Sequence, residues 1–503
     1  MGRSWTRMAT TAAALLAFAS PAALAQTLEV ATDQSPVGLD PHIATAFSTA
    51  LINRDNIYEG LTAIDADLRV IPGLAESWTL SEDGLVYTFT LREGVTFHNG
   101  EPFDSEDVKF SIERVLDEAT GSPIASRFNL IEEVEAPSPT EIVIRLSAPF
   151  APFLSQIAQL YIVPKDYVEA GNDLQRAAMG TGPFSFAEWA PDTFIRLEAN
   201  PDYWEEGVPA LDEIKFNIVP EASTRQIGLS TGTYHLLPNV DPATAVMLSS
   251  DPRITTSQTL DLAYSLIGLN VTQPPFDDPK VREALNYALD RDAIIQAAYF
   301  GMGVPAGPLS PALVDWALPA ADFPCYSHDP EQAKTLLTEA GLQLPVPLTL
   351  NVLGSIQLLV DSAQVIQAVL NESGFDVTLN VQEQGQFIQD WSNSNFQAFL
   401  SLNGGSVDPD GYFYRTFLTD GSTNVYGYSD AEVDAMLNEA RTVSNPEVRR
   451  GLYNQVQTAL ACHGPVAHLV FGQLTAAAGP GVEGFELIAN RSLRSLRATT
   501  LSQ

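Results

Sequence analysis

The chain has 503 residues, 45% of them hydrophobic, so it is long enough to form the cores of two or three globular domains. It carries 62 acidic and 26 basic side chains, which gives a net charge of −36 with histidine neutral. This balance argues against nucleic acid and anionic membrane surfaces as partners, and is typical of a solvated acidic surface.

The first 25 residues have the pattern of a secretory signal peptide. Arg3 and Arg7 precede a short apolar run over 9–19, and residues 23–25 (Ala-Leu-Ala) form a small-x-small cleavage site. The run is shorter than the roughly 20 residues that a membrane-spanning helix needs. No cysteine follows the site, so we predict a periplasmic protein that begins at Gln26 without a lipid anchor. Loss of the two arginines takes the net charge to −38.

Strand and helix patterns alternate in the first half of the chain. Residues 85–91 alternate apolar and polar side chains, which is typical of a half-buried strand. Apolar residues over 108–116 recur at helical spacing after a capping Asp104 or Ser105. The turn residues at 181–184 (Thr-Gly-Pro-Phe) indicate a domain boundary.

Residues 228–232 (Gly-Leu-Ser-Thr-Gly) match the G-x-S-x-G pattern of the hydrolase nucleophile elbow. That elbow requires a strand before the serine and a helix after it. Here residues 223–229 have a helical pattern and residues 234–237 a strand pattern, so the order is reversed. We interpret the motif as the end of a helix and keep an exported hydrolase as a remote alternative.

The second half contains capped helices and a parallel unit. Asp278 and Asp290 each precede an amphipathic stretch in the position of an N-cap. Residues 348–353 and 377–381 flank a helical pattern that ends just before Gly374. A strand, a helix and a second strand in this order predict two parallel strands with a right-handed crossover. The pattern as a whole indicates a mixed α/β protein.

Six segments, in one order, resemble the family 5 extracytoplasmic solute-binding proteins, which are the peptide and nickel receptors of ABC importers. The most specific is GLVYTFTLREGVTFHNGEPFDSEDVKFSIERV at 84–115, because the match continues over more than thirty positions. The others are TGPFSFAEW at 181–189, NPDYWEEGVPALDEIKF at 200–216, the block at 269–311, DPEQAKTLLTEAGL at 329–342 and DPDGYFYRTF at 408–417.

The resemblance implies a type II periplasmic-binding-protein fold, with two lobes around a hinged cleft and an extra third domain. Lobe I is expected to combine residues 26–56, 181–269 and 480–503. The extra domain is expected over 57–180, and lobe II over 270–479.

The function that the resemblance implies is that of the periplasmic receptor of an ABC importer. Such a receptor captures a short peptide or peptide-like solute by lobe closure and delivers it to the permease. We expect a monomer that is not an enzyme, has no cofactor and binds no nucleic acid. The alternative is the same role for a non-peptide solute such as an opine, an oligosaccharide, a metal chelate or haem.

Candidate ligand contacts follow from the same resemblance. Peptide-binding members hold the ligand's α-amino group with an aspartate in the segment that matches 408–410, which places the contact at Asp408 and leaves Asp410 a structural role. Dipeptide-specific members hold the ligand carboxylate with an arginine before the helix around Val365, but residues 354–364 contain no basic residue. Arg415 is one candidate for the missing charge; a looser site or a ligand that is not a free dipeptide are the others. The remaining expected contacts are Tyr412, Trp391, Asn403, Phe47 and Ser48.

The two cysteines, Cys325 and Cys462, have one possible pairing. An oxidising compartment favours a disulfide, which would close a loop of well over a hundred residues and stabilise the fold by about 4–5 kcal/mol. The alternative is a pair of buried thiols. Cys462 and His463 together with His468 lack the ligand spacing of a zinc site, so we predict no metal.

Overall fold

The computed structural model describes residues 26–502, and the predicted signal peptide lies outside this range. None of the described helices is long and apolar enough to cross a bilayer. In chain order, the elements of the first half are β1 (Thr27–Thr32), α1 (Phe47–Asn53), β2 (Thr62–Ile64), β3 (Val70–Pro72), β4 (Ala75–Leu80), β5 (Val86–Leu91), α2 (Ser105–Leu116), β6 (Ile131–Ser138), β7 (Glu141–Leu146), α3 (Phe153–Ile157), α4 (Lys165–Glu169), β8 (Phe184–Ala190), β9 (Phe194–Ala199), β10 (Glu213–Ile218), α5 (Ala222–Thr231), β11 (Leu236–Leu237) and α6 (Pro242–Leu248).

Helices and strands continue to alternate in the second half of the described chain. Its elements are β12 (Thr255–Leu269), α7 (Pro279–Ala288), α8 (Arg291–Ala298), β13 (Gly303–Pro305), α9 (Pro330–Glu339), β14 (Val346–Leu353), α10 (Gln357–Glu372), β15 (Phe375–Gln382), α11 (Gln384–Ser392), β16 (Ala398–Asn403), α12 (Asp410–Phe417), α13 (Ala431–Thr442), α14 (Pro446–His463), β17 (Val466–Ala478), β18 (Val482–Glu483) and β19 (Thr500–Leu501).

One mixed sheet of eleven strands runs through the molecule in the order β15-β14-β16-β12-β17-β11-β1-β10-β9-β8, with β13 paired to β17. The long strands β12 and β17 are antiparallel, and their ladder is irregular between Leu260 and Tyr264. Before this bulge, β17 pairs with β11 on the lobe I side; beyond it, β12 pairs with β16 on the lobe II side. The two sides therefore share two strands, which continue across the bulge. The predicted limits of lobe II, 270 and 479, fall at opposite ends of these strands, and the division into lobes stays a prediction.

A second sheet of four strands, β4-β5-β7-β6, lies within the predicted extra domain. Tyr87, Phe89 and Leu91 alternate into its core, which confirms the strand predicted at 85–91. The helix α2 packs on this sheet and begins with a capping box, in which Asp104 accepts from the first turn and Asp107 accepts from the Asp104 N–H. The cap predicted at Asp104 or Ser105 is therefore Asp104.

The chain enters and leaves the predicted extra domain at adjacent points. The N–H of Gly182 donates to the Ile57 carbonyl at 2.9 Å, and the N–H of Phe184 donates to the Asn56 carbonyl at 3.0 Å. A Cβ at Gly182 would lie 2.4 Å from the Asn56 oxygen, so the two passages approach as closely as only glycine allows. This arrangement agrees with limits near 57 and 180, although nothing in it tests the domain division.

Several local predictions in the second half are confirmed. Asp278 and Asp290 accept hydrogen bonds from the first turns of α7 and α8. The strands β14 and β15 pair in parallel on either side of α10, as predicted. Cys325 and Cys462 form a disulfide that spans 137 residues of sequence. The mixed α/β class is confirmed.

The G-x-S-x-G motif ends a helix, as the sequence predicts. The helix α5 runs to Thr231, and Gly232 follows in the left-handed region with φ 77°. The short strand β11 comes after it. Ser230 therefore lies in the last turn of a helix, and the strand–serine–helix order of a nucleophile elbow is absent at this motif.

Candidate ligand-binding cleft

A cavity of about 690 Å³ lies where three parts of the chain meet. Its lining comes from the end of α1, from residues between 126 and 161, and from the segment 404–441, together with residues 489–491. This volume is within the range of about 300–1,000 Å³ that is typical of small-molecule sites. The charged lining residues are Arg54, Asp55, Arg127, Asp261, Asp410, Arg415, Asp420, Arg441 and Arg491.

The loop after β16 is held close to β12 by a glycine. Gly405 has φ 68°, and a Cβ there would lie 2.1 Å from the Leu262 carbonyl oxygen. Asn403 accepts the Gly405 N–H at 3.0 Å through its side-chain oxygen. Asn403 does not itself line the cavity. Its hydrogen bond to Gly405 shapes the loop of residues 404–407, and these loop residues line the cavity.

Asp408 lies beneath the cleft rather than in its wall. It is 7% exposed, and its two oxygens accept from Arg449 at 2.6 and 2.8 Å in a bidentate ion pair. One of these oxygens also accepts the Asp410 N–H at 2.9 Å. The oxygens of Asp408 thus accept hydrogen bonds from within the protein, and a ligand contact at this residue stays a prediction.

Asp410 is the aspartate of this pair that lines the cavity. Among residues 26–502 its side chain accepts no hydrogen bond, and its nearest cation is the Nε of Arg441 at 3.6 Å. Burial raises the pKa of Asp410 to about 6, with the Arg441 guanidinium opposing the shift and the Asp408 carboxylate adding to it. A buried carboxylate with free acceptors and a perturbed pKa is a typical feature of a binding site.

Arg441, in α13, contacts the segment that precedes α3. Its guanidinium lies 3.8 Å from the ring centre of Tyr414 and 4.9 Å from that of Phe150. Its carbonyl oxygen accepts the Ala151 N–H at 2.8 Å. The side chain therefore stacks between aromatic rings beside Asp410 without forming a direct hydrogen bond to it.

The other residues expected from the sequence lie in different environments. Arg415 lines the cavity, and its role toward a ligand stays a prediction. Tyr412 is 2% exposed in a hydrophobic core, and its hydroxyl is 2.9 Å from Nε2 of His468. Trp391 packs against the same core. Tyr412 is buried and Trp391 is partly buried, and neither side chain lines the cavity.

The expected contacts after residue 41 lie near the cleft but not in its lining. Phe47 is 42% exposed, and the Arg491 guanidinium lies 5.3 Å from its ring centre. Ser48 is buried. Arg491 lines the cavity and pairs with Asp261, so Phe47 contacts a residue of the lining without belonging to it.

Several cleft residues were not predicted, among them Arg54, Arg127, Arg441 and Arg491. Their positions are distant in sequence, and no local motif shows that they converge. The scarcity of basic residues, 26 against 62 acidic ones, is the signal that could have drawn attention to each arginine.

Comparison with known proteins identifies the class to which the chain belongs, a bacterial solute-binding protein. The model described as bacterial extracellular solute-binding proteins, family 5 Middle, matches residues 69–424. The probable di/tripeptide-binding protein 5 of Pseudomonas aeruginosa (strain UCBPP-PA14) is 34% identical over 90% of this chain and 92% of its own. The glutathione-binding protein GsiB of Salmonella paratyphi A is 28% identical over 96% of this chain and 95% of its own.

Among solved structures, the periplasmic binding protein DppA of Helicobacter pylori, in complex with the peptide STSA, is similar. It is 28% identical, covers 95% of this chain and 98% of its own, and has a TM-score of 0.78. The chain belongs to family 5 of the bacterial extracellular solute-binding proteins. The type II periplasmic-binding-protein fold expected from the sequence is confirmed.

Proposed function

We propose that this protein is the periplasmic receptor of an ABC importer, and that it captures short peptides in the cleft and releases them unchanged to the permease. The observation that carries the proposal is the combination, in one cavity, of a buried carboxylate without hydrogen-bond donors and arginines without carboxylate partners. A zwitterionic ligand needs both. Membership of family 5 and the peptide-binding relatives support the same proposal.

Asp410 is the proposed anchor for the ligand's α-amino group. A carboxylate that faces an ammonium group in a desolvated site forms short, charge-assisted hydrogen bonds. Asp410 has free acceptors for these hydrogen bonds, whereas both oxygens of Asp408 accept from Arg449. Of the remaining carboxylates in the cleft, Asp261 pairs with Arg491, and Asp55 accepts from Ser492 and lies 3.6 Å from Arg494.

Arg415 is the proposed partner of the ligand's terminal carboxylate, and closure of the lobes would complete the site. Arg415 belongs to α12 on the lobe II side, whereas Arg54 and Arg127 come from the opposite walls. We place the hinge at the bulge between Leu260 and Tyr264, where the strands shared by both sides lose their regular ladder. The ligand would then be enclosed by groups from both lobes.

The test is thermal unfolding of the mature protein with di- and tripeptides, each used with a free and with an acetylated amino group. A ligand at a hundredfold excess over Kd stabilises the native state by about 2.7 kcal/mol, so a true ligand raises the midpoint. We expect the rise with free peptides, and we expect acetylation to remove it.

The variants are Asp410→Asn and, as a matched control, Asp420→Asn, since both carboxylates line the cavity and Asp420 is exposed. Asp410→Asn should lose the response to free peptides, and Asp420→Asn should keep it. Loss in the control alone would move the anchor to Asp420. No response of the wild-type protein to any peptide would refute a peptide ligand and favour a non-peptide solute.

A further inference from the structure

The cleft concentrates positive charge in a protein that is otherwise strongly acidic. Five arginines line it, and two of them have acidic neighbours: Arg441 lies beside Asp410, and Arg491 pairs with Asp261. The other three have no carboxylate at ion-pair distance within residues 26–502. They are Arg54, Arg127 and Arg415.

The three guanidinium groups have neutral partners or none. Arg54 donates to the Asn490 carbonyl at 3.2 Å, and its buried Nε has no acceptor in the described chain. Arg127 donates to the side-chain oxygen of Gln159 at 2.7 Å. The side chain of Arg415 is exposed and donates no hydrogen bond to the described residues. A guanidinium offers five N–H donors, so the hydrogen bonds above engage only a part of the donors of these three side chains.

These arginines act on one another. The cleft walls partly desolvate the Arg127 guanidinium and lower its pKa, although the side chain stays accessible from the cavity, and the positive charges of Arg415 and Arg54 lower it further. Like charges gathered in a cleft with protein walls raise the free energy of the empty site and attract anions to it. A bound anion would relieve this repulsion.

The charges indicate how many negative groups the ligand should bear. Against the three unpaired arginines, the cleft offers one further carboxylate without a cationic partner in the described range, the exposed Asp420. Beyond the Asp410–Arg441 and Asp261–Arg491 pairs, two positive charges therefore remain for the ligand. An ordinary peptide with one terminal carboxylate would leave one of the two unmatched.

We infer that the cleft selects acidic peptides, in which a side-chain carboxylate accompanies the terminal one. This inference rests on the proposed function and specifies its ligand class. Arg415 takes the terminal carboxylate, and Arg127, in the opposite wall, takes the side-chain carboxylate. Both arginines are solvent-exposed in the cleft, so a ligand reaches them without unfolding any element.

The experiment measures Kd by calorimetry for the peptides Ala-Glu-Ala and Ala-Gln-Ala. They differ only in the central side chain, which ends in a carboxylate in the first and in a neutral amide in the second. The wild-type protein should bind Ala-Glu-Ala about ten- to a hundredfold more tightly, the range expected for a hydrogen bond to a charged group. Arg127→Gln should reduce this ratio to about one, through weaker binding of Ala-Glu-Ala. Arg415→Gln should weaken both peptides.

The control is Arg176→Gln, because that side chain is 87% exposed and lies outside the cavity lining. It should keep the wild-type ratio. Equal binding of the two peptides by the wild-type protein, or an unchanged ratio in Arg127→Gln, would overturn the inference. The protein would then be a peptide receptor of broader specificity. Binding of neither peptide, nor of any other in the unfolding assay, would overturn the proposed function together with the inference.

Discussion

Replacing Asp408 by Asn should lower the stability of the fold and leave peptide binding unchanged. The substitution removes the negative charge that faces Arg449, a residue that is only 5% exposed. The asparagine oxygen can still accept the Asp410 N–H, which now bonds at 2.9 Å. Although burial alone disfavours the charged guanidinium, the attraction and hydrogen bonds of Asp408 raise the pKa of Arg449 above its ordinary value. The arginine therefore stays charged, and the variant leaves it buried without a counter-ion.

The magnitude follows from this geometry. Removing one partner of a buried ion pair costs about 3–5 kcal/mol. The unfolding entropy of about 2.1 cal/mol/K per residue amounts to roughly 1 kcal/mol/K for a chain of this length, so the midpoint should fall by about 3–5 °C. Because Asp408 raises the pKa of Asp410, its loss leaves Asp410 at least as well ionised as before.

The assay combines thermal unfolding with peptide titration of the native protein. We expect the lower midpoint with a Kd within about twofold of the wild-type value at pH 7. Arg449→Met alone should destabilise the protein as well. The double variant should lose less than the two single variants together, because no buried charge is then left unpaired. Wild-type stability of Asp408→Asn combined with loss of peptide binding would refute the reasoning and restore Asp408 as the ligand contact.

Two further predictions concern the disulfide and the pH. Replacing both Cys325 and Cys462 by Ser should lower the free energy of unfolding by about 5 kcal/mol, since the bond closes a loop with a sequence separation of 137; an unchanged urea midpoint would contradict this. Peptide affinity should fall about tenfold from pH 7 to pH 5, because burial raises the pKa of Asp410 to about 6 and the ligand's ammonium binds the ionised form. Affinity falls as the pH falls, because a protonated Asp410 must lose its proton before it can bind the ligand's ammonium group. Asp410→Asn should show no such pH dependence.

The sequence by itself determined most of the local structure. The N-caps at Asp104, Asp278 and Asp290 are chosen by short-range hydrogen bonds, which depend on neighbouring residues alone. The alternation at 85–91 fixes which side chains of β5 face the core, because the period of a strand is two. The helical end at Gly232 has a similarly local cause, a left-handed backbone that favours glycine. The resemblance of ordered segments added the fold, the family and the presence of a cleft.

Only the tertiary structure decided which charges face that cleft. Asp408 and Asp410 are two residues apart, and no local rule distinguishes them; the difference is made by Arg449, which reaches Asp408 from α14. Arg54 and Arg127 likewise lie far from Arg415 in sequence and meet around one cavity only in the folded chain. Caps and alternation depend on the nearest residues, whereas the pairing of a buried charge depends on which partner the whole fold brings within hydrogen-bonding distance.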